Sequence, residues 1–107
     1  MIGTAIGLAY SGYTPLCYSI TPFLLYRPFE MLRNYVNHEL VPIKLIGSGR
    51  DKDYSHDGFT HWSEDDVVIC KAAFPRIRVY KPLKMFEDTF QEFITSENPA
   101  YLNLARF

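Results

Sequence analysis

Apolar residues fall along this chain in short blocks separated by turn residues, and the spacing inside each block differs. Residues 2–10, IGTAIGLAY, alternate small and large apolar side chains at helical spacing, and Ser11-Gly12 supplies a stop. No Ser, Thr, Asp or Asn precedes Ile2 to cap that helix. Residues 14–20, TPLCYSI, are short, aromatic and apolar, as in a buried strand. Thr21-Pro22 then opens a helix running to about residue 40, which Pro28 kinks or restarts.

After the Val41-Pro42 break, IKLIGSG reads as a second buried strand, ending in glycines and running into the polar loop RDKDYSHDGFTH. Ser63 suits an N-cap. Glu64, Asp65 and Asp66 follow in the first turn, where the helix dipole favours negative charge, and VVICKAAF carries the helix to Pro75. IRVYKP reads as a third strand. Pro82 opens an amphipathic helix with Leu83, Phe86, Phe90, Phe93 and Ile94 as its apolar stripe, and YLNLARF closes the chain as a fourth strand. The alternation predicts one α/β domain over residues 1–107, a three-layer sandwich with a mostly parallel sheet of about four strands and helices on both faces. In such sheets ligands bind beyond the carboxyl ends of the strands, here where the second strand meets the Gly-rich loop.

Composition narrows the function classes. The formal net charge is -1, which gives no electrostatic case for nucleic acid or an anionic membrane surface. No stretch has the pattern of a targeting or transmembrane segment, because Ser11, Gly12, Thr14 and Pro15 interrupt the apolar start. Cys17 and Cys70, both in apolar stretches, read as buried thiols of a cytoplasmic protein. Aromatic residues make up 16% of the chain, which suits a tight small core or a surface kept for a partner.

Three stretches carry a family resemblance. GTAIGLAYSGYTPLCYSITPFLLYRPFEMLRNYV resembles the helix, strand and helix of the pyrimidine-binding domain in transketolase-like, thiamine-diphosphate-dependent enzymes. HDGFTH is similar to that family's Asp-Gly-Pro-Thr-His motif, with Phe59 in place of Pro, and NPAYLNLARF is similar to the domain's last strand. The nearest form is the C-terminal section of split transketolases. The resemblance implies a thiamine-diphosphate-binding fold, and a function in moving two-carbon ketol units between sugar phosphates. It also implies a strand ending in a catalytic Glu just upstream of MIGTAIG, so the domain is expected to be N-terminally incomplete and inactive alone. The magnesium and the diphosphate are expected on another domain or subunit, and a homodimer or such a partner is implied. The alternative is a non-catalytic remnant or interaction module that keeps the fold without the cofactor.

By the same resemblance, Phe23 and Tyr26 line the aminopyrimidine pocket, where a flat ring gains from an aromatic face; the plain alternative is that both pack the helix onto the sheet. Asp57 and His61 map to the substrate side, where a His beside a carboxylate suits proton transfer or hydroxyl recognition. Arg27 reads as a surface ion pair with Glu30, the alternative being a reach to a phosphate-bearing ligand. His56, Asp57 and His61 make a poor metal set, with neither a thiolate nor a helical His pair. Gly47, Gly49 and Gly58 allow a tight backbone around the loop or simply form turns. Glu64, Asp65 and Asp66 are explained as helix charges, Tyr80, Phe86, Phe90 and Phe93 as core, and His38 by its place at a helix end.

Overall fold

The computed structural model describes residues 1–84 and 87–106. Its elements run α1 (Ile2–Tyr10), β1 (Leu16–Ile20), α2 (Thr21–Leu25), α3 (Phe29–Met31) continuing as a π-helical segment (Leu32–Asn37), β2 (Lys44–Ser48), α4 (Asp66–Ala73), β3 (Arg78–Tyr80), α5 (Glu87–Thr95) and β4 (Ala100–Leu104). Two 3-10 turns, Ser55–Asp57 and Phe59–His61, lie between β2 and α4. The four strands pair in the order β1-β2-β4-β3, parallel throughout.

Strand register explains the layers. Cys17, Leu45 and Tyr101 lie in one row across β1, β2 and β4, and all three belong to the larger core cluster. That cluster also holds Ile2 and Ile6 of α1, Leu24 and Leu25 of α2, Leu32 and Val36 of the π-helical segment, and Cys70 and Phe74 of the α4 region. Leu24, Leu25, Leu32 and Val36 have no exposed surface; burial of each such side chain contributes about 1.5–3 kcal/mol. The alternate row, Ile46, Ala100 and Leu102, faces the other way and packs with Tyr80, Phe93 and Ile94. Only α5 among the described helices reaches that face, so β1 is left uncovered there, with Leu16 50% and Tyr18 63% exposed.

The expected long helix at 22–40 is broken. Pro22 sits in the first turn of α2, which ends at Leu25, and the chain restarts at Phe29 after Pro28. Leu40 closes the segment at positive φ before Val41-Pro42. The helix expected from Pro82 begins in the described residues at Glu87; Leu83 is fully exposed instead of joining the apolar stripe, and Phe86 lies outside the described residues. Of the remaining stripe, Phe93 is buried and Phe90 is 39% exposed. Among the described residues no helix is long and apolar enough to cross a membrane.

Candidate functional site

The carboxyl ends of the strands are bound together by a buried polar hub that the sequence did not reveal. Asp66, read above as an ordinary first-turn charge, has no exposed surface. Its carboxylate accepts hydrogen bonds from the Tyr101 hydroxyl at 2.9 Å, Asn103 Nδ2 at 3.0 Å and Lys81 Nζ at 3.0 Å. Lys81 also reaches Asp51 at 2.9 Å, so one ammonium joins the loop after β2 to the start of α4. Burial alone lowers the affinity of Lys81 for its proton, but bonds to Asp51 and Asp66 outweigh it and the net shift is upward. Burial and the Asp66 charge push Tyr101 above the usual phenol range and Cys70 up to about 12.

Beside the hub, the Gly49 carbonyl accepts from Thr21 Oγ1 at 3.1 Å and Ser63 Oγ at 3.2 Å. Ser63 is therefore spent on the β2 terminus and does not cap α4, whose N-cap is Asp65. Arg50 donates through Nε to Asn103 Oδ1 at 2.8 Å and through Nη2 to the carbonyls of Pro82 and Asn103. The loop thus leaves the sheet along a fixed path.

On that loop, His61 meets the ring of Phe23 edge-on, with centroids 5.0 Å apart. The residue expected on the substrate side touches one expected on the cofactor side. Arg27 does not pair with Glu30 among the described residues; its guanidinium lies 4.0 Å over the Phe23 ring. Asp57 pairs with His56 at 3.3 Å, not with His61, whose Nδ1 is 3.0 Å from Thr60 Oγ1. Tyr54, which the sequence did not single out, stands 6.4 Å from His61 and 6.5 Å from His56, ring to ring.

Tyr26 points elsewhere, into a cleft of about 450 Å³ lined by Pro22, Tyr26, Phe59, Thr60, Trp62, Glu64 and Asp65. Its hydroxyl donates to Asp65 at 2.6 Å, and burial together with that bond raises the phenol pKa. Trp62 packs against Phe59 at 5.8 Å and carries Lys52 4.6 Å over its ring. The Trp62 Nε1 is buried with no acceptor among the described residues. The cleft therefore offers aromatic walls and a carboxylate, which suits a flat heteroaromatic ring with hydrogen-bonding edges. A second cavity, lined by Arg33, Asn34, Asn37, His38 and Pro75, opens where α4 and the π-helical segment end and takes in none of these groups. Among the described residues no three His, Cys, Asp or Glu side chains converge as a metal-binding group.

Known proteins are similar to this chain. It is 31% identical over 108 residues to the 6-deoxy-6-sulfo-D-fructose transketolase subunit SqwH of Clostridium sp. (strain MSTE9), covering 99% of this chain and 33% of that protein. It is 26% identical over 108 residues to a protein of Methanocaldococcus jannaschii assigned provisionally as a transketolase C-terminal section, covering 99% and 34%. The chain spans about a third of the length of these relatives. No family model matches it. A solved split-gene transketolase, described as an inactive beta4 tetramer, has the same fold, with a TM-score of 0.81 over 98% of this chain and 33% of its own at 21% identity.

Proposed function

The chain is a transketolase-like domain of the kind carried in transketolase C-terminal sections, and from that premise we propose that it forms the pyrimidine side of a thiamine-diphosphate site. The observation that carries this reading is the contact between His61 and Phe23, next to the Tyr26 cleft. It brings together the residues that the family resemblance assigns to the cofactor side and to the substrate side.

Thiamine diphosphate, when bound, supplies the nucleophilic carbon for breaking and making a ketose carbon–carbon bond. In this reading Tyr26 and Trp62 wall its ring, with Asp65 at the cleft edge. Phe23 keeps water from the boundary between cofactor and substrate. His61 holds or moves a proton on a substrate hydroxyl, and Asp57 acts through its pair with His56. Arg27 over Phe23 and Arg106 over Tyr54 each sit one ring away from His61, where positive charge attracts an anionic sugar terminus. One relative is named for a sulfonated ketose; a phosphorylated or sulfonated terminus would meet the same two guanidinium groups.

Residues 1–107 contribute one wall, and the diphosphate and magnesium belong to a second domain or subunit. Exposed Leu16 and Tyr18 on the edge strand β1 support an association surface, for a second copy or for that subunit. The test combines this chain, preceded by the Glu-ending strand that the family resemblance implies, with a diphosphate-binding transketolase subunit, thiamine diphosphate, magnesium, a ketose phosphate and an aldose phosphate. Two-carbon transfer that needs both chains supports the proposal; no transfer in any pairing favours the interaction-module reading.

A further inference from the structure

Gly49 leaves β2 with φ +85°, and a Cβ there would lie 2.3 Å from Cε2 of Tyr54. The Tyr54 ring uses the space that glycine leaves. Its hydroxyl shares a 2.9 Å hydrogen bond with Ser48 Oγ, the last residue of β2. The Arg106 guanidinium lies 4.8 Å from the ring centroid. The neighbouring Asp53 carboxylate accepts the backbone N–H of Arg50 at 2.8 Å and of Arg106 at 2.7 Å, which ties the loop to the end of the β4 region. On the loop side, the Tyr54 carbonyl accepts the Asp57 N–H at 3.0 Å.

His61 has few other holds. It follows Gly58, which is at φ +86° with open space around it, and Phe59, which is 79% exposed. Its imidazole bonds only to its neighbour Thr60 among the described residues. Two rings flank it, Phe23 and Tyr54. Phe23 is fixed by α2, whereas Tyr54 moves with the loop unless the Gly49 seat holds it.

We propose that Tyr54 is a positioning residue, which locks the 50–61 loop onto the end of β2 and thereby holds His61 against Phe23. The functional meaning rests on the reading of His61 given above, but the positioning itself can be measured without turnover. A tyrosine in a polar loop would otherwise be a solvated side chain, and its removal would leave His61 unchanged.

The test follows the His61 ring signals by NMR in the full chain. Tyr54→Phe keeps the ring in its seat and leaves the His61 shifts near those of the wild type. Tyr54→Ala empties the seat, and the His61 shifts move toward those of a solvated histidine while those of His38 stay put. Tyr54→Leu fills the seat without a ring and serves if the alanine variant fails to fold; it also moves His61. Unchanged His61 signals in the alanine or leucine variant overturn the proposal, as does a Tyr54→Phe shift as large as that of Tyr54→Ala. In a reconstituted complex that turns over, Tyr54→Ala lowers kcat about tenfold or more with little change in KM, and Tyr54→Phe restores it. A wild-type complex with no turnover counts against the transketolase reading and leaves the NMR outcome to decide the role of Tyr54.

Discussion

Tyr101 in β4 donates its hydroxyl proton to Asp66 at the start of α4 across 2.9 Å, and neither residue has exposed surface. A strand and a helix meet there through a charge-assisted bond that water cannot replace. Asp66→Ala would take the shared acceptor from three donors, Tyr101, Asn103 and Lys81, of which Lys81 keeps Asp51 and Asn103 keeps the Tyr101 oxygen. We expect a loss of about 3 kcal/mol, a large share of the stability of a small domain. Asp66→Asn, which keeps the shape, costs less. Urea unfolding of both variants checks the order.

Alkaline pH should weaken the fold early. Burial is the first cause that raises the phenol pKa values of Tyr101 and Tyr26, which start from 10.0, and Asp66 and Asp65 add to it. The unfolded chain gives up these protons near pH 10 and the folded chain keeps them. Stability from the two phenols is therefore complete below pH 10 and falls as pH rises above it. Cys70 acts the same way from 9.0 upward, its folded value being about 12. Lys44 opposes them: burial lowers its value from 10.5, so its contribution rises with pH in that range. Cys17, Tyr10, Tyr80 and Lys81 are shifted in the same direction as the two phenols and Cys70, so together they outweigh Lys44 and the net loss is read as a falling urea midpoint above about pH 9. Tyr101→Phe should flatten that slope.

Gly47 has a packing reason to be glycine. An added Cβ would lie 2.5 Å from Thr21 Oγ1 and 2.9 Å from Tyr101 Cε2, both in the buried hub. Gly47→Ala should cost roughly 1–3 kcal/mol and disturb the Thr21 bond to Gly49. Gly7→Ala, with nothing within 4 Å of its Cβ position, is the control and should be neutral or slightly stabilising. Thermal denaturation compares the two.

The contact between Phe23 and His61 separates two variants in a reconstituted complex. Phe23→Ala opens the boundary between cofactor and substrate and removes the ring against which His61 rests, so both cofactor binding and turnover should fall. His61→Ala should spare binding and lower turnover by about a hundredfold or more. Binding calorimetry beside a transfer assay checks the split, and an unchanged rate for His61→Ala would remove that residue from the site.

Legibility followed the range of the physics involved. Strand positions and the break at Pro28 were readable because period and proline geometry act locally. Glu64, Asp65 and Asp66 looked alike because a string of acids carries no sign of partners. In the structure Glu64 pairs with exposed Lys52, Asp65 takes Tyr26, and Asp66 is fully buried. Lys44 and Asn103, polar residues inside strands, were passed over for the same reason; each is buried with hydrogen-bonding partners distant in sequence. Tyr54 needed the knowledge that Gly49 leaves room for its ring. Leu83 failed to join the helix stripe because it lies in a bend ahead of α5, whose described residues begin at Glu87, and it is fully exposed there.

The central claim is that the Tyr26 cleft receives the aminopyrimidine ring of thiamine diphosphate. Trp62 is the single tryptophan of the chain and lines that cleft. The direct measurement is a titration of thiamine diphosphate with magnesium into this chain combined with a diphosphate-binding transketolase subunit, by calorimetry and Trp62 fluorescence. Saturable heat with a quench, both weakened by Tyr26→Ala, is the predicted result. Neither heat nor quench in any combination of chains, or a signal untouched by Tyr26→Ala, would contradict it.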